Sequence, residues 1–175
     1  MAHVSDIWWP MEVDQFIPNV LMTPLDSFLL TRIFFESGQY EDGVRFFAQE
    51  WPGELIFLFD DEPDQLLEAI EKTKDIDPEL CADVKRAMQT EGDTVSVNCY
   101  DFGSYCRVFQ GIIRRSGGKL AYVTTQGAYI RFNGRPDDDR LGGLAEVITA
   151  DAIESVSTFT WAGDKLIELG LERAK

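Results

Sequence analysis

At Thr90-Glu91-Gly92-Asp93 the pattern of the chain changes, and that change limits the folds open to it. Before this point apolar residues recur mostly at the three- and four-residue spacing of amphipathic helices. After it, β-branched and tyrosine-rich stretches alternate between glycine-marked turns. The expected class is therefore α+β, with a helical N-terminal region over residues 1–90 and a β-rich region over residues 91–175, as two units or one compact body. A hydrophobic content of 45%, with 12 Phe and 4 Trp, excludes a disordered acidic tail.

In the first region, Ile7-Trp8-Trp9-Pro10 reads as an extended aromatic arm. Thr23-Pro24 reads as a helix start, with Thr at the N-cap and Pro in the first turn. Leu25, Phe28, Leu29, Ile33 and Phe35 follow at helical spacing, and Gly38 is placed to end the helix. Tyr40, Val44 and Phe47 predict a second helix over residues 40–50. The stretch FFESGQYEDGVRFFAQEW, residues 34–51, resembles half of a tetratricopeptide-type helix pair, in which a G-x-Y turn joins two amphipathic helices. No second copy follows, and Gly43 stands where that pattern has Ala, so a single αα-hairpin is expected. Residues 55–59, an unbroken apolar run, predict a buried strand. Asp60-Asp61-Glu62-Pro63-Asp64 opens a helix with Leu66, Leu67 and Ile70 inward. Asp77 caps another that carries Leu80, Val84 and Met88.

In the second region, strands are expected over residues 94–100, 105–113, 120–125 and 128–132, with turns at Ser116-Gly117-Gly118-Lys119 and Gln126-Gly127. Val147-Ile148 and residues 153–159 predict a fifth. FQGIIRRSGGKLAYVTTQGAYIRF followed by VITADAIESVST resembles a small SH3-like or Sm-like antiparallel β-barrel, in which a short helical turn precedes the last strand. That resemblance implies a fold and no particular function. A C-terminal helix is expected over residues 164–173, and residues 135–143 read as a polar loop.

Charge is distributed unevenly. Residues 1–90 carry 19 acidic against 6 basic side chains, whereas residues 91–175 carry 12 against 10, within a net charge of −15. Such a one-sided field opposes compaction and favours meeting a complementary positive surface. It disfavours direct nucleic-acid or anionic-membrane binding. Asp60, Asp61, Glu62 and Asp64, continued by Glu68, Glu71 and Asp75, would place carboxylates along one helical face. With Trp51 as a nearby aromatic anchor, they form the expected partner-binding surface. The same acids also suit a solvated helix face with a favourable N-terminal dipole, partly neutralised by Lys72 and Lys74. As a metal or acid–base site they lack the glycine and spaced glutamate of an EF-hand.

Other chemistry is sparse in the sequence. His3 is the only histidine, which leaves no histidine-dependent triad. Cys81, Cys99 and Cys106 are odd in number without C-x-x-C spacing, and read as small core residues. Gly117-Gly118-Lys119 lacks the pattern of a phosphate loop. Arg114, Arg115, Lys119, Arg131 and Arg135 are expected to pair with acids internally or on a partner. Neither catalytic residues, metal ligands nor a cofactor is expected, and the opening residues read as those of a cytoplasmic protein. The leading expectation is a non-enzymatic inhibitor of a basic, nucleic-acid-handling protein such as a nuclease, toxin or defence complex, of the bacterial immunity or phage anti-defence type. The alternatives are a structural or adaptor subunit or assembly chaperone docking through the small barrel, and a carboxylate- or metal-dependent enzyme.

Overall fold

The computed structural model describes residues 6–8, 10–49, 52, 55–92, 94–132 and 140–169. Strands Asp6–Trp8 (β1), Met11–Val13 (β2) and Ile17–Pro18 (β3) precede helix Pro24–Ile33 (α1). Gly38–Gln39 (β4), Gly43–Arg45 (β5), Phe47–Ala48 (β6) and Leu55–Leu58 (β7) lead into helices Glu62–Thr73 (α2) and Pro78–Ala87 (α3). Met88–Glu91 (β8) and Thr94–Asn98 (β9) then form a hairpin before helix Ser104–Arg115 (α4). Tyr122–Phe132 (β10), Arg140–Thr149 (β11), Ile153–Ser157 (β12) and helix Thr158–Glu168 (α5) complete the described elements.

Among the described residues all strand pairs are antiparallel and fall into three sheets. The main sheet has the order β12-β11-β10-β2-β6, with β1 also paired to β10; the small sheets run β3-β5-β4 and β7-β9-β8. None closes into a barrel, so the SH3-like expectation is corrected. Its proposed turn at Gln126-Gly127 lies within β10, where both residues pair with β11. The TADAI segment makes no helical turn but the bend of the β11–β12 hairpin, closed by Thr149 N donating to Ala152 O at 2.8 Å.

The helical N-terminal half is corrected too, because helices and strands are interspersed. Residues 40–50 supply β5 and β6, and the burial of Val44, Phe46 and Ala48 shows a period of two. The glycine that departs from the tetratricopeptide pattern has its reason here: a Cβ on Gly43 would lie 2.5 Å from Ile17 O, across the β3–β5 pair. Conversely, residues 105–113 are helix. Tyr105, Val108, Phe109, Ile112 and Ile113 are all buried at the i, i+3, i+4, i+7, i+8 spacing of one helical face. Gly38 lies in β4 rather than at a helix end, Met88 begins β8, and the last helix begins at Thr158, six residues before the expected start. The caps at Thr23 and Asp77 are where the sequence places them, and Thr23 forms a full capping box with Asp26.

The helices carry the core. α4 packs on β10 and β11, α1 packs on α4 and α2, and α3 packs on β8 and β9. Phe34, Phe46, Tyr105 and Phe109 stack at tilted and edge-to-face angles, with neighbouring centroids 5.4–6.5 Å apart. Residues of both sequence regions thus share one buried cluster.

Two polar clusters sit inside it. Arg115, in the last turn of α4, donates to Asp26 of α1 at 2.5 Å and to Asp77, the N-cap of α3, at 2.8 Å. Asp26 has no exposed surface, and burial raises its carboxyl above the usual range despite the opposing pull of Arg115 and Thr23. Gly111 makes room for the guanidinium, since a Cβ there would lie 2.8 Å from Arg115 Nη1. In the second cluster, Glu146 of β11 accepts from Tyr105 Oη at 2.7 Å, Thr125 Oγ1 at 2.8 Å and Cys106 Sγ at 3.6 Å. Burial and the nearby carboxylate push the Tyr105 phenol far up and the Cys106 thiol up to about 12, so both remain protonated donors. Among the described residues no helix is long and apolar enough to cross a membrane.

Arg115→Met leaves Asp26 buried without its cation, and should cost about 3–5 kcal/mol in urea denaturation. The double variant with Asp26→Asn should recover part of that loss, and strict additivity would show that the pair is uncoupled. Asp83, which Arg107 grips at 2.5 Å, has its carboxyl held below the ordinary value of 3.8. Its stabilisation is present above that value and is lost as pH falls through the lowered folded pKa. The stability gap between the protein and Asp83→Asn should therefore close on acidification, whereas a constant gap contradicts the ion pair. Cys81, Cys99 and Cys106 are all buried. A thiol–disulfide reagent at mildly alkaline pH should leave them unmodified in the folded protein and label them in denaturant; rapid labelling of the native state would refute their burial.

Candidate functional site

The strand–helix junction after β7 gathers the acids singled out in the sequence. β7 lies beside β9 in the register Leu55↔Asn98 and Phe57↔Ser96. Its burial alternates: Ile56 and Leu58 face the core, whereas Leu55 is 43%, Phe57 51% and the following Phe59 62% exposed. The strand expected to be buried is thus buried on one face only. The polar Asn98 and Ser96 on the same outer face mark it as the solvent side.

Asp60 then turns the chain with a φ of 51°, a left-handed conformation that Asp tolerates better than most non-glycine residues. Asp61 occupies the N-cap position of α2, but its carboxylate accepts from Gln65 Nε2 at 2.9 Å instead of capping a backbone N–H. Glu62 closes the junction. Its carboxylate accepts from Phe59 N, its own N–H donates to Phe59 O, and its other oxygen pairs with Arg32 of α1 at 2.6 Å. Glu62 therefore holds α2 to α1, and its carboxylate is already engaged.

Further along α2 the acid row is partly cancelled. Glu68 pairs with Lys72 at 2.6 Å and Glu71 with Lys74 at 2.9 Å, and these partners hold both carboxyls below the usual range. Asp64 is exposed in the first turn and Asp75 lies exposed beyond the last. Of the expected surface, the structure brings together Asp60, Asp61 and Asp64 beside the exposed Phe59; none of the three pairs with a cation among the described residues. Trp51 lies outside the described residues. No group of three or more His, Cys, Asp or Glu among the described residues is arranged to hold a metal ion.

Acids at a helix N-terminus are favoured by the dipole whatever their function. What distinguishes this junction is the apolar stripe that runs into them. Leu55, Phe57 and Phe59 were not expected at a surface, because a continuous apolar run hides its own alternation. The signal available was indirect: the Thr-Val-Ser-Val-Asn sequence of β9 gives one face of that sheet to polar residues.

Two of the basic residues of the second region are engaged within the fold. Arg115 points into the core, and Arg114 Nε donates to Ala150 O at 2.6 Å. Arg135 lies outside the described residues. A second surface feature is a hollow of about 340 Å³ on the outer face of the main sheet, floored by Ala145 and Val156 and overhung by Trp161 of α5. Comparisons with protein-family models, with curated proteins and with solved structures find no match to this chain.

Proposed function

We propose that this protein is a non-enzymatic acidic binding protein that occupies a basic, nucleic-acid-handling partner in the cytoplasm and inhibits it, in the manner of an immunity or anti-defence protein. The observation that carries this reading is the adjacency of an exposed apolar stripe, Leu55, Phe57 and Phe59, to the carboxylates of Asp60, Asp61 and Asp64, which form no ion pair among the described residues. Protein interfaces combine a desolvated apolar centre, which sets the dissociation rate, with charged surroundings, which set the association rate. The surplus of acid in residues 1–90 supplies the long-range part of that attraction. Carboxylates standing where a partner expects phosphates would compete with nucleic acid directly. The open face of the main sheet, with its hollow under Trp161, favours a second reading as an adaptor subunit that docks another protein there.

The test uses a basic nucleic-acid-binding protein captured from the host on the immobilised chain. Adding this chain should displace that partner from labelled DNA or RNA. Asp60→Asn/Asp61→Asn/Asp64→Asn should slow association severalfold and flatten its salt dependence without unfolding the protein. Unchanged association at low ionic strength would sink the reading. Loss of binding on Trp161→Ala alone would favour the adaptor.

A further inference from the structure

The β7-β9-β8 sheet has two edges of opposite character. Its β8 edge carries Gln89, Thr90 and Glu91, all exposed and polar, the usual way of keeping an edge from pairing with other chains. Its β7 edge carries no lysine or proline within Leu55–Leu58, and among the described residues β7 pairs only with β9. The outward side chains on that edge are Leu55 and Phe57, with Phe59 just beyond. The strand is then closed off at one end, because Glu62 engages both the N–H and the C=O of Phe59.

We infer that β7 receives an added β-strand: an extended segment of the cationic partner, with apolar residues at alternate positions and lysine or arginine at the end that meets Asp60, Asp61 and Asp64. This rests on the cationic-partner reading above and adds the mode of capture. Backbone hydrogen bonds to the edge supply affinity that does not depend on sequence, while alternate side chains beside Leu55 and Phe57 supply selection. Charge decides the occupant. A second copy of this chain would bring another net −15 to the same edge and be repelled, whereas a lysine- or arginine-bearing strand gains from the carboxylates at the junction. The acids thus serve both to exclude self-pairing and to attract the partner.

The probe is a short synthetic peptide alternating valine and lysine, titrated against the full chain by calorimetry at low and high salt. Two N-methylated forms, one at each set of alternate positions, keep charge and side chains but block one or the other row of N–H groups. One form should bind like the parent and the other should fail, because only one row faces the edge. Hydrogen exchange at β7 should slow on binding. Phe57→Ser, at a half-exposed position, should leave the fold intact and weaken binding roughly tenfold. Equal binding by both methylated forms would overturn the edge proposal; if that binding stayed sensitive to Asp60→Asn/Asp61→Asn/Asp64→Asn, the cationic-partner reading would stand without it. Failure of every peptide form would overturn the edge proposal likewise and leave the partner-displacement test to judge the broader reading. A dimer of the free chain that Phe57→Ser dissolves would overturn the choice of occupant.

Discussion

The ion cluster centred on Arg115 fixes how the helices meet. One guanidinium joins the first turn of α1, through Asp26, to the N-cap of α3, through Asp77, from the last turn of α4. Each charge sits at the helix end whose dipole favours it: acids at two N-termini and the cation at a C-terminus. The arrangement is costly, since Asp26 Oδ1 and Arg115 Nε are buried without hydrogen-bond partners among the described residues. Buried ion clusters often add little net stability over a well-packed apolar alternative, and their worth lies in the single geometry they allow. Here that geometry sets α4 against the main sheet and α3 against the β7-β9-β8 sheet. The α3 arm of this cluster packs on β8 and β9, the sheet whose other edge is β7.

Local signals at helix starts were legible in the sequence because they are chemical as well as periodic. Thr23-Pro24 and Asp77-Pro78 each pair an oxygen acceptor with a residue that has no N–H to satisfy, and both open helices as expected. Periodicity misled where both periods fit. Tyr40, Val44 and Phe47 lie at helical spacing, but Val44, Phe46 and Ala48 are the buried set, and pairing with β3 and β4 decides for strand. In residues 105–113 the β-branched Val108, Ile112 and Ile113, with Gly111 in the middle, imitate a strand. Packing of the Tyr105–Phe109 face against Phe34 and Phe46 overrides that propensity. The barrel expectation failed for the same reason, having counted this helix as a strand.

The row of acids was legible in the sequence, whereas the pairing of its members was legible only in part. Asp60, Asp61 and Asp64 lie together and exposed, as a run of acids before a helix implies. Glu62, Glu68 and Glu71 are engaged by Arg32, Lys72 and Lys74. The two lysine pairs could be read from i, i+3 and i, i+4 spacing, whereas Arg32 comes from another helix and could not. The aromatic half of the surface was hidden, because exposure of alternate residues in Leu-Ile-Phe-Leu-Phe depends on which strand lies beside it.

The main sheet imposes an order of events on synthesis. β1 and one edge of β2 pair with β10, the other edge of β2 pairing with β6, and Gln15 bonds to Thr124 across 109 positions of sequence. At ordinary elongation rates those N-terminal strands wait on the order of ten seconds before β10 has been made. Until then β3 can pair with β5, and Met11 and Glu12 of β2 with β6, but Met11 and Val13, both buried in the finished protein, lack their pairing with Gly127 and Thr125 of β10. Completion of the main sheet is thus a late event that joins the N-terminal strands to β10, and a ribosome-bound fragment ending before β10 would leave one edge of β2 open to chaperones and proteases.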